Sequence, residues 1–282
     1  MTRDGYWVHD LNPIAVQLWG GFAIHWYGLA YLAGIMLGWW LLERWRRQQR
    51  LPLAKEDLGD FVMWAAIGMM VGGRLAYCAL YIPDEVAAAP LKIFKVWEGG
   101  MASHGGMVGF AVGIGLYAWR RQRSFLVLGD AVAAVAPIGI CFGRLANFVN
   151  GELYGRPGTV PWAMIFPSAQ DDLPRHPSQL YAAGLEGALL AAVLLSLHHR
   201  HRRPGLTMGL FFVLYALGRF VGEFWREPDR GQPGSPGVDL ILGLMTKGQA
   251  LTVPLLLIGV ALCWWALRRS PQPAVYAPPG AP

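Results

Sequence analysis

Seven apolar runs, each about 20 residues long, constrain this 282-residue chain more than any other feature. They are Trp19–Leu42, Phe61–Ile82, Gly99–Trp119, Ser124–Gly143, Ser178–Leu197, Gly205–Trp225 and Gln249–Leu267. At 1.5 Å rise per residue, about 20 residues match a hydrocarbon core of roughly 30 Å, so each run can cross a bilayer as a helix. A helix satisfies its backbone amides within one segment, which hydrocarbon demands. The chain is 54% hydrophobic and 15% charged, with a mean hydropathy of +0.33, far from an ordinary soluble domain. The expected fold class is an all-α integral membrane protein with seven transmembrane helices.

Charge between the runs sets the expected orientation. The connectors ERWRRQQR (43–50) with Lys55, RRQR (120–123), HHRHRR (198–203) and Arg268–Arg269 carry 13 of the 24 Lys and Arg residues. By the positive-inside rule that side is cytoplasmic, giving an N-out, C-in topology. The loops at 83–98, 144–177 and 226–248 then lie outside. Residues 1–269 form one membrane domain, with a small external head within about 144–177. The Pro/Ala-rich tail, 270–282, is expected to be a disordered cytoplasmic segment. PLKIFKVW (90–97) mixes aromatics with lysines and is expected to lie flat at the interface.

Several classes are disfavoured. The net charge of +6 resides in short clusters with no nucleic-acid motif, so no nucleic acid is expected as partner. Cys78, Cys141 and Cys263 are far apart in apolar stretches, without metal-ligand spacing. Neither disulfide, metal site nor cofactor is expected. The N-terminus lacks a cleavable signal-peptide pattern, so the first run should be retained. No internal repeat of the transporter kind is visible.

An ionisable side chain at the centre of a span costs at least roughly 2.5–3.5 kcal/mol on insertion scales and needs a partner, a wet cavity or a job. Arg74, Asp130, Glu186, Arg219 and Glu223 lie in the runs, with His25 and His104. Arg74 and Asp130 read as structural groups, an ion pair or snorkelling ends. Tyr215, Arg219 and Glu223 fall at i, i+4, i+8 and share one helix face. For a simple helix pair Glu before Arg is the better order, so Arg before Glu points toward a ligand, and a guanidinium is suited to grip phosphate through two parallel hydrogen bonds.

Two further clusters are polar. In GRLANFVNGELYGRP (143–157), Arg144 and Asn147 share a face if the fourth helix continues, while Gly151 and Gly155 permit tight turns. In GGMASHGG (99–106), His104 is flanked by small residues, and the unperturbed pKa of an imidazole, near 6.5, suits proton transfer, although a lone histidine at a helix end is more often a polar anchor. His25, Tyr27 and HPSQ (176–179) are polar on the same half, and Pro177–Ser178 suits a helix start.

GGMASHGGMVGF (99–110), GRLANFVNGELYGRP (143–157), RHPSQLY (175–181) and RFVGEFWREPD (219–229) together resemble the prolipoprotein diacylglyceryl transferase family, in order and spacing and across nearly the whole chain. The resemblance implies a seven-helix protein of the bacterial cytoplasmic (inner) membrane, with an external head, interfacial arms and an active site toward the outer side. It implies Arg144, Arg219 and His104 as catalytic residues, and Tyr27, Asn147, Glu152, Gly155, Tyr215 and Glu223 as substrate-binding ones. Ala182 stands where the family often has Glu, and Ala102–Ser103 precede the histidine where an aromatic is frequent.

The implied reaction moves the diacylglyceryl group of phosphatidylglycerol onto the lipobox cysteine of a preprolipoprotein signal peptide, releasing glycerol phosphate. The substrate supplies the nucleophile. His104 is the first candidate for the base, with Glu223 and Glu152 as alternatives. A lipid or anionic-solute transporter would use the same arginines without chemistry. An intramembrane hydrolase would need a nucleophile elbow that the sequence lacks.

Overall fold

The computed structural model describes residues 2–20, 22–227 and 245–272, apart from the side chains of Glu98, Ser103, His104, His199 and Lys247. It is mostly helical. After four short strands, β1 (Thr2–Arg3), β2 (Tyr6–Val8), β3 (Ile14–Gln17) and β4 (Ala23–His25), come α1 (Trp26–Arg47), α2 (Asp57–Tyr81), the short α3 (Pro83–Ala88), α4 (Ser103–Arg120) and α5 (Phe125–Val149). Strands β5 (Met164–Ile165) and β6 (Pro174–Arg175) precede α6 (Ser178–Ala182), which continues through a π-helical stretch, Ala183–Leu189, into α7 (Leu190–His201). Helices α8 (Leu206–Gly222) and α9 (Lys247–Leu267) complete the order.

A helix thus occupies each of the seven apolar runs. Four stretches are long and apolar enough to cross a membrane: Asp57–Tyr81, Phe125–Val149, Ser178–His198 and Gly248–Leu267. Helix α8 is equally apolar but shorter, at 17 residues. Residues 228–244 of the loop expected at 226–248 and 273–282 of the expected tail lie outside the described residues.

The first run departs from expectation at its start. Its opening residues belong to an antiparallel hairpin, β3 with β4, in which Ile14 faces His25 and Val16 faces Ile24, and the helix begins only at Trp26. Trp19 and Phe22, at the hairpin turn, are 78% and 71% exposed. Their hydrophobicity prolongs the apolar run without belonging to the helix. At the other end of the fourth run, α5 continues six residues past the expected Gly143, to Val149.

The chain forms two compact units. The first combines Met1–Leu41 with Asp130–Pro271 and the second is built on Leu42–Gly129. In the second, α2 and α4 approach backbone to backbone along glycines. A Cβ on Gly109 would sit 2.1 Å from the Gly68 carbonyl oxygen, and one on Gly72 would sit 2.4 Å from that of Gly105. Hydrocarbon offers no hydrophobic drive between helices, so such close approach supplies the attraction. Arg74 is buried here, and its guanidinium donates to the carbonyls of Lys92 (2.6 Å), Ile93 (3.0 Å) and Gly100 (3.2 Å), and to that of Gly99. It organises the 90–100 segment through carbonyls instead of the ion pair or snorkelling expected from sequence. In that segment Leu91, Phe94 and Trp97 are exposed.

In the first unit the fully buried Asp130 accepts from the backbone N–H groups of Gly205 and Met208, both at 2.8 Å. It therefore caps α8, whose first-turn amides have no partner within the helix. A four-stranded sheet of order β1-β2-β5-β6 gathers the first residues of the chain onto the segment after α5. Its core holds the His9 ring, stacked on Phe166 and edge-on to Phe148, both at 5.1 Å. These short strands carry no period-2 pattern long enough to see in the sequence. Cys78, Cys141 and Cys263 are free thiols.

Candidate active site

Helix α5 carries Arg144 and Asn147 on its last two turns, as their spacing requires. Arg144 Nη2 lies 2.9 Å from Glu186 Oε2 and donates to it, and the Tyr215 hydroxyl lies in interaction range of the same guanidinium. Glu186 is only 1% exposed and sits in the π-helical stretch. A π-bulge adds a residue to a turn and re-aims the side chains around it, a feature frequent at functional sites.

Arg219, Glu223 and Tyr215 share one face of α8 and its exit. Arg219 Nη1 is 2.5 Å from Glu223 Oε2, so the i,i+4 pair disfavoured on residue order does form. Burial explains it, because Glu223, 2% exposed, has no water to turn to. Its other oxygen accepts from the Thr246 hydroxyl at 3.1 Å, and Gly248 in the first turn of α9 packs directly against the carboxylate. The positive end of α9 and Arg219 together balance the Glu223 charge. That arrangement suits a group that positions Arg219.

The two arginines meet at one cleft. Arg144, Arg219 and Arg226 line it with Glu186, Gln179 and Ser178, and it holds about 10 Å³, room for one water-sized group. Beside it, Leu185, Leu189, Val193, Leu214, Leu217 and Val221 line an apolar cavity of about 280 Å³ between the π-helical stretch, α7 and α8. Ion-pairing side chains and an apolar trough thus occupy adjacent positions of the same two helical segments.

A polar loop closes the other flank. Asn147 Nδ2 donates to Glu152 Oε1 at 2.8 Å, and Tyr27 lies within interaction range of both residues while its hydroxyl is 3.2 Å from that of Tyr31. Gln179 Nε2 donates to the Glu152 carbonyl at 2.8 Å and Ser178 Oγ to that of Leu153 at 3.0 Å. Gly151 has φ of +66°, the turn expected of it. Gly155 instead serves close approach: its N–H donates to the His176 carbonyl at 2.9 Å, and a Cβ there would lie 2.4 Å from that oxygen and 2.5 Å from the Trp225 carbonyl. Arg175 is buried against Asp171, the Gly155 carbonyl (3.1 Å) and the Tyr154 ring. Burial alone would lower its pKa, but Asp171 and Glu227 hold it above the ordinary value.

Of the sequence-derived site residues, Arg144 and Arg219 line the cleft, Tyr215 and Glu223 contact them, and Asn147, Glu152 and Tyr27 form one cluster beside them. Gly155 packs the loop. The backbone of His104 lies in the first turn of α4, and its side chain is outside the described residues. Sequence reasoning left Glu186, Gln179 and Arg226 without a role. Arg226 falls seven residues after Arg219, near the same face, and Glu186 is the lone acid of its apolar run; these were the available signals.

The family model for prolipoprotein diacylglyceryl transferase matches residues 13–265. The chain belongs to the prolipoprotein diacylglyceryl transferase family. Its relatives include proteins named phosphatidylglycerol–prolipoprotein diacylglyceryl transferase from Rhodopseudomonas palustris, 44% identical over 267 residues, 92% of this chain and 91% of the relative. The corresponding protein of Azospirillum brasilense is 46% identical over 264 residues, 92% and 96% of the two chains. That of Paramagnetospirillum magneticum is 45% identical over 269 residues, 94% and 97%. The family match spans both arginines, both carboxylates that pair with them and the segment carrying His104.

Proposed function

We propose that this chain catalyses transfer of the diacylglyceryl group from phosphatidylglycerol to the lipobox cysteine of a preprolipoprotein, the first step of bacterial lipoprotein maturation. The observation that carries the reading is the pair Arg144 and Arg219 lining one cleft beside an apolar trough, two cations that suit a lipid phosphate next to a surface that suits acyl chains. It sits in a chain similar over more than nine-tenths of its length to proteins named for this activity.

In the reaction the cysteine sulfur attacks the glyceryl carbon that carries the phosphate. The C–S bond forms as the C–O bond breaks, the thiol proton passes to a base, and glycerol phosphate leaves with the bonding pair. A thiol of ordinary pKa near 8.5 is only a few per cent thiolate at pH 7, so a base accelerates the step. His104 is the proposed base, as the resemblance implies, with Glu223 and Glu152 as alternatives; Glu223 lies against Arg219 and Thr246, and Glu152 against Asn147. Arg144 and Arg219 stabilise the charge that accumulates on the departing phosphate, and their planar forks fix its orientation. Tyr27, Asn147, Glu152, Tyr215 and Glu223 hold these groups and the substrate in place, and Gly155 keeps the loop closed.

The same reading assigns seven crossings, with the N-terminus and the cleft on the outer side of the cytoplasmic membrane and the basic connectors inside. The hairpin bearing Trp19 and Phe22 and the 90–98 segment bearing Leu91, Phe94 and Trp97 are its interfacial arms. Residues 1–269 form the membrane domain and 270–282 the cytoplasmic tail.

Purified protein incubated with headgroup-labelled phosphatidylglycerol and a lipobox peptide should release labelled glycerol phosphate and leave a thioether-linked lipid on the peptide. Lipid movement between leaflets with no peptide product would instead identify a transporter. His104→Gln with a full rate across neutral pH would remove histidine as base.

A further inference from the structure

Two acceptor atoms of the cleft are buried without a hydrogen-bond donor among the described residues: Glu186 Oε1 and Gln179 Oε1. Both side chains are about 2% exposed or less and both line the space beside the arginines. Their orientations are fixed by their other contacts. Glu186 commits Oε2 to Arg144, and Gln179 commits Nε2 to the Glu152 carbonyl, so the remaining oxygen of each has no donor among the described residues. Gly222, which also lines the cleft, lies against Glu186 Oε1: a Cβ on it would be 3.7 Å away, so the glycine leaves that oxygen open to the cleft.

An acceptor stranded in a low-dielectric site costs roughly 1–3 kcal/mol, and more when charged, and such exceptions in a folded protein call for a ligand. The chemistry of that ligand follows from its surroundings. Arginines demand an anion and two naked acceptor oxygens demand a neutral donor, since a second cation would meet three guanidinium groups. The enclosed space beside these atoms, about 10 Å³, admits one water-sized group such as a hydroxyl.

We propose that Glu186 and Gln179 read a hydroxyl of the terminal glycerol of the phosphatidylglycerol head, making Glu186 a specificity-determining residue of the transfer reaction. The inference rests on the reading above. The arginines recognise any phosphodiester lipid, and the hydroxyl pocket selects the one whose head carries a donor. Glu186 thereby serves twice: Oε2 orients Arg144 toward the phosphate, and Oε1 tests the alcohol beyond it. The reaction atoms are unchanged, because the head leaves intact as its phosphate ester.

The test compares phosphatidylglycerol with phosphatidylpropanol, which has the same single negative charge and three head carbons but no head hydroxyl. Transfer to a lipobox peptide and lipid binding in mixed nanodiscs are both measured. A site built around a substrate hydroxyl rejects the analogue lacking it strongly, so wild-type kcat/KM should fall by at least about 100-fold with phosphatidylpropanol. In Glu186→Gln the amide oxygen must serve Arg144, which turns the NH2 toward the cleft and replaces the acceptor by a donor. The variant keeps volume and partner, and the preference should shrink to within about 10-fold. Its lost charge affects both lipids alike, so the ratio isolates the hydroxyl. Gln179→Met, judged against its own melting temperature, should narrow the ratio in the same direction.

Equal use of the two lipids by wild type would overturn the proposal. So would a Glu186→Gln protein that loses activity yet keeps the wild-type ratio, since Glu186 would then only hold Arg144. Absence of transfer with both lipids, together with a retained binding preference for the hydroxylated head, would sink the transfer reading and leave the hydroxyl pocket standing.

Discussion

Replacing Gly155 by Ala tests whether this glycine acts through packing or through ligand contact. The added Cβ would lie 2.4 Å from the His176 carbonyl oxygen, 2.5 Å from that of Trp225 and 2.8 Å from the His176 Cβ. Two of these atoms are backbone on separate segments, so neither moves by a rotamer change, and each must retreat by about 1 Å to reach ordinary contact. Overpacking of this kind costs about 1–3 kcal/mol. Parting the strands also strains the 2.9 Å bond from the Gly155 N–H to the His176 carbonyl, a further roughly 1–3 kcal/mol if the buried group is left unpaired. A total of about 2–6 kcal/mol is a large share of the roughly 5–15 kcal/mol that typically holds a protein folded. By the scaling for chains of comparable size, that lowers the melting temperature of the detergent-purified protein by about 10 °C. Gly139→Ala is the matched control: a Cβ there meets nothing within 4 Å inside α5, and the variant should be neutral or stabilised by about 0.5–1 kcal/mol. A Gly155→Ala protein that melts with wild type and transfers lipid normally would refute the packing account. Wild-type melting with lost transfer would assign the glycine to ligand contact instead.

Other expectations follow from the same geometry. Arg144→Lys and Arg219→Lys keep charge but lose the fork, and each should lower transfer at least about 100-fold in membranes, with near-normal rates in both removing the two-arginine clamp. Asp130→Asn leaves one acceptor where the Gly205 and Met208 amides need two, and should cost about 1–2 kcal/mol of thermal stability without changing KM for lipid; a raised KM would place Asp130 in the site. Glu43 hydrogen-bonds Arg46 and Arg47, and these bonds, against a smaller opposing effect of burial, lower its pKa from 4.5 to about 2. Its contribution to stability is therefore present above pH 4.5 and lost as the pH falls through about 2, so Glu43→Gln should flatten that part of an acid melting series.

Much of the site was legible because covalent spacing determines it. Tyr215, Arg219 and Glu223 share a face at any helical i, i+4, i+8, and Arg144 and Asn147 do so once α5 continues. The limits of the first helix were not legible, because Trp19, Phe22 and Ile24 are as hydrophobic in a hairpin as in a span. The role of Asp130 was hidden for another reason. A carboxylate in an apolar run must find partners, but the Gly205 and Met208 amides it caps lie 75 and 78 residues away in sequence.

The amino-acid sequence by itself determined a helical membrane protein, the polar clusters that hydrocarbon would reject, and the motifs that mark the family. Those are consequences of solvent and of local spacing. Only the tertiary structure decided that Arg144 pairs with Glu186 across 42 residues, that Glu223 is held beneath the start of α9, and that two buried oxygens beside the arginines have no donor among the described residues. Pairing between distant segments depends on how helices pack, and packing depends on side-chain shape and backbone approach that no local period encodes.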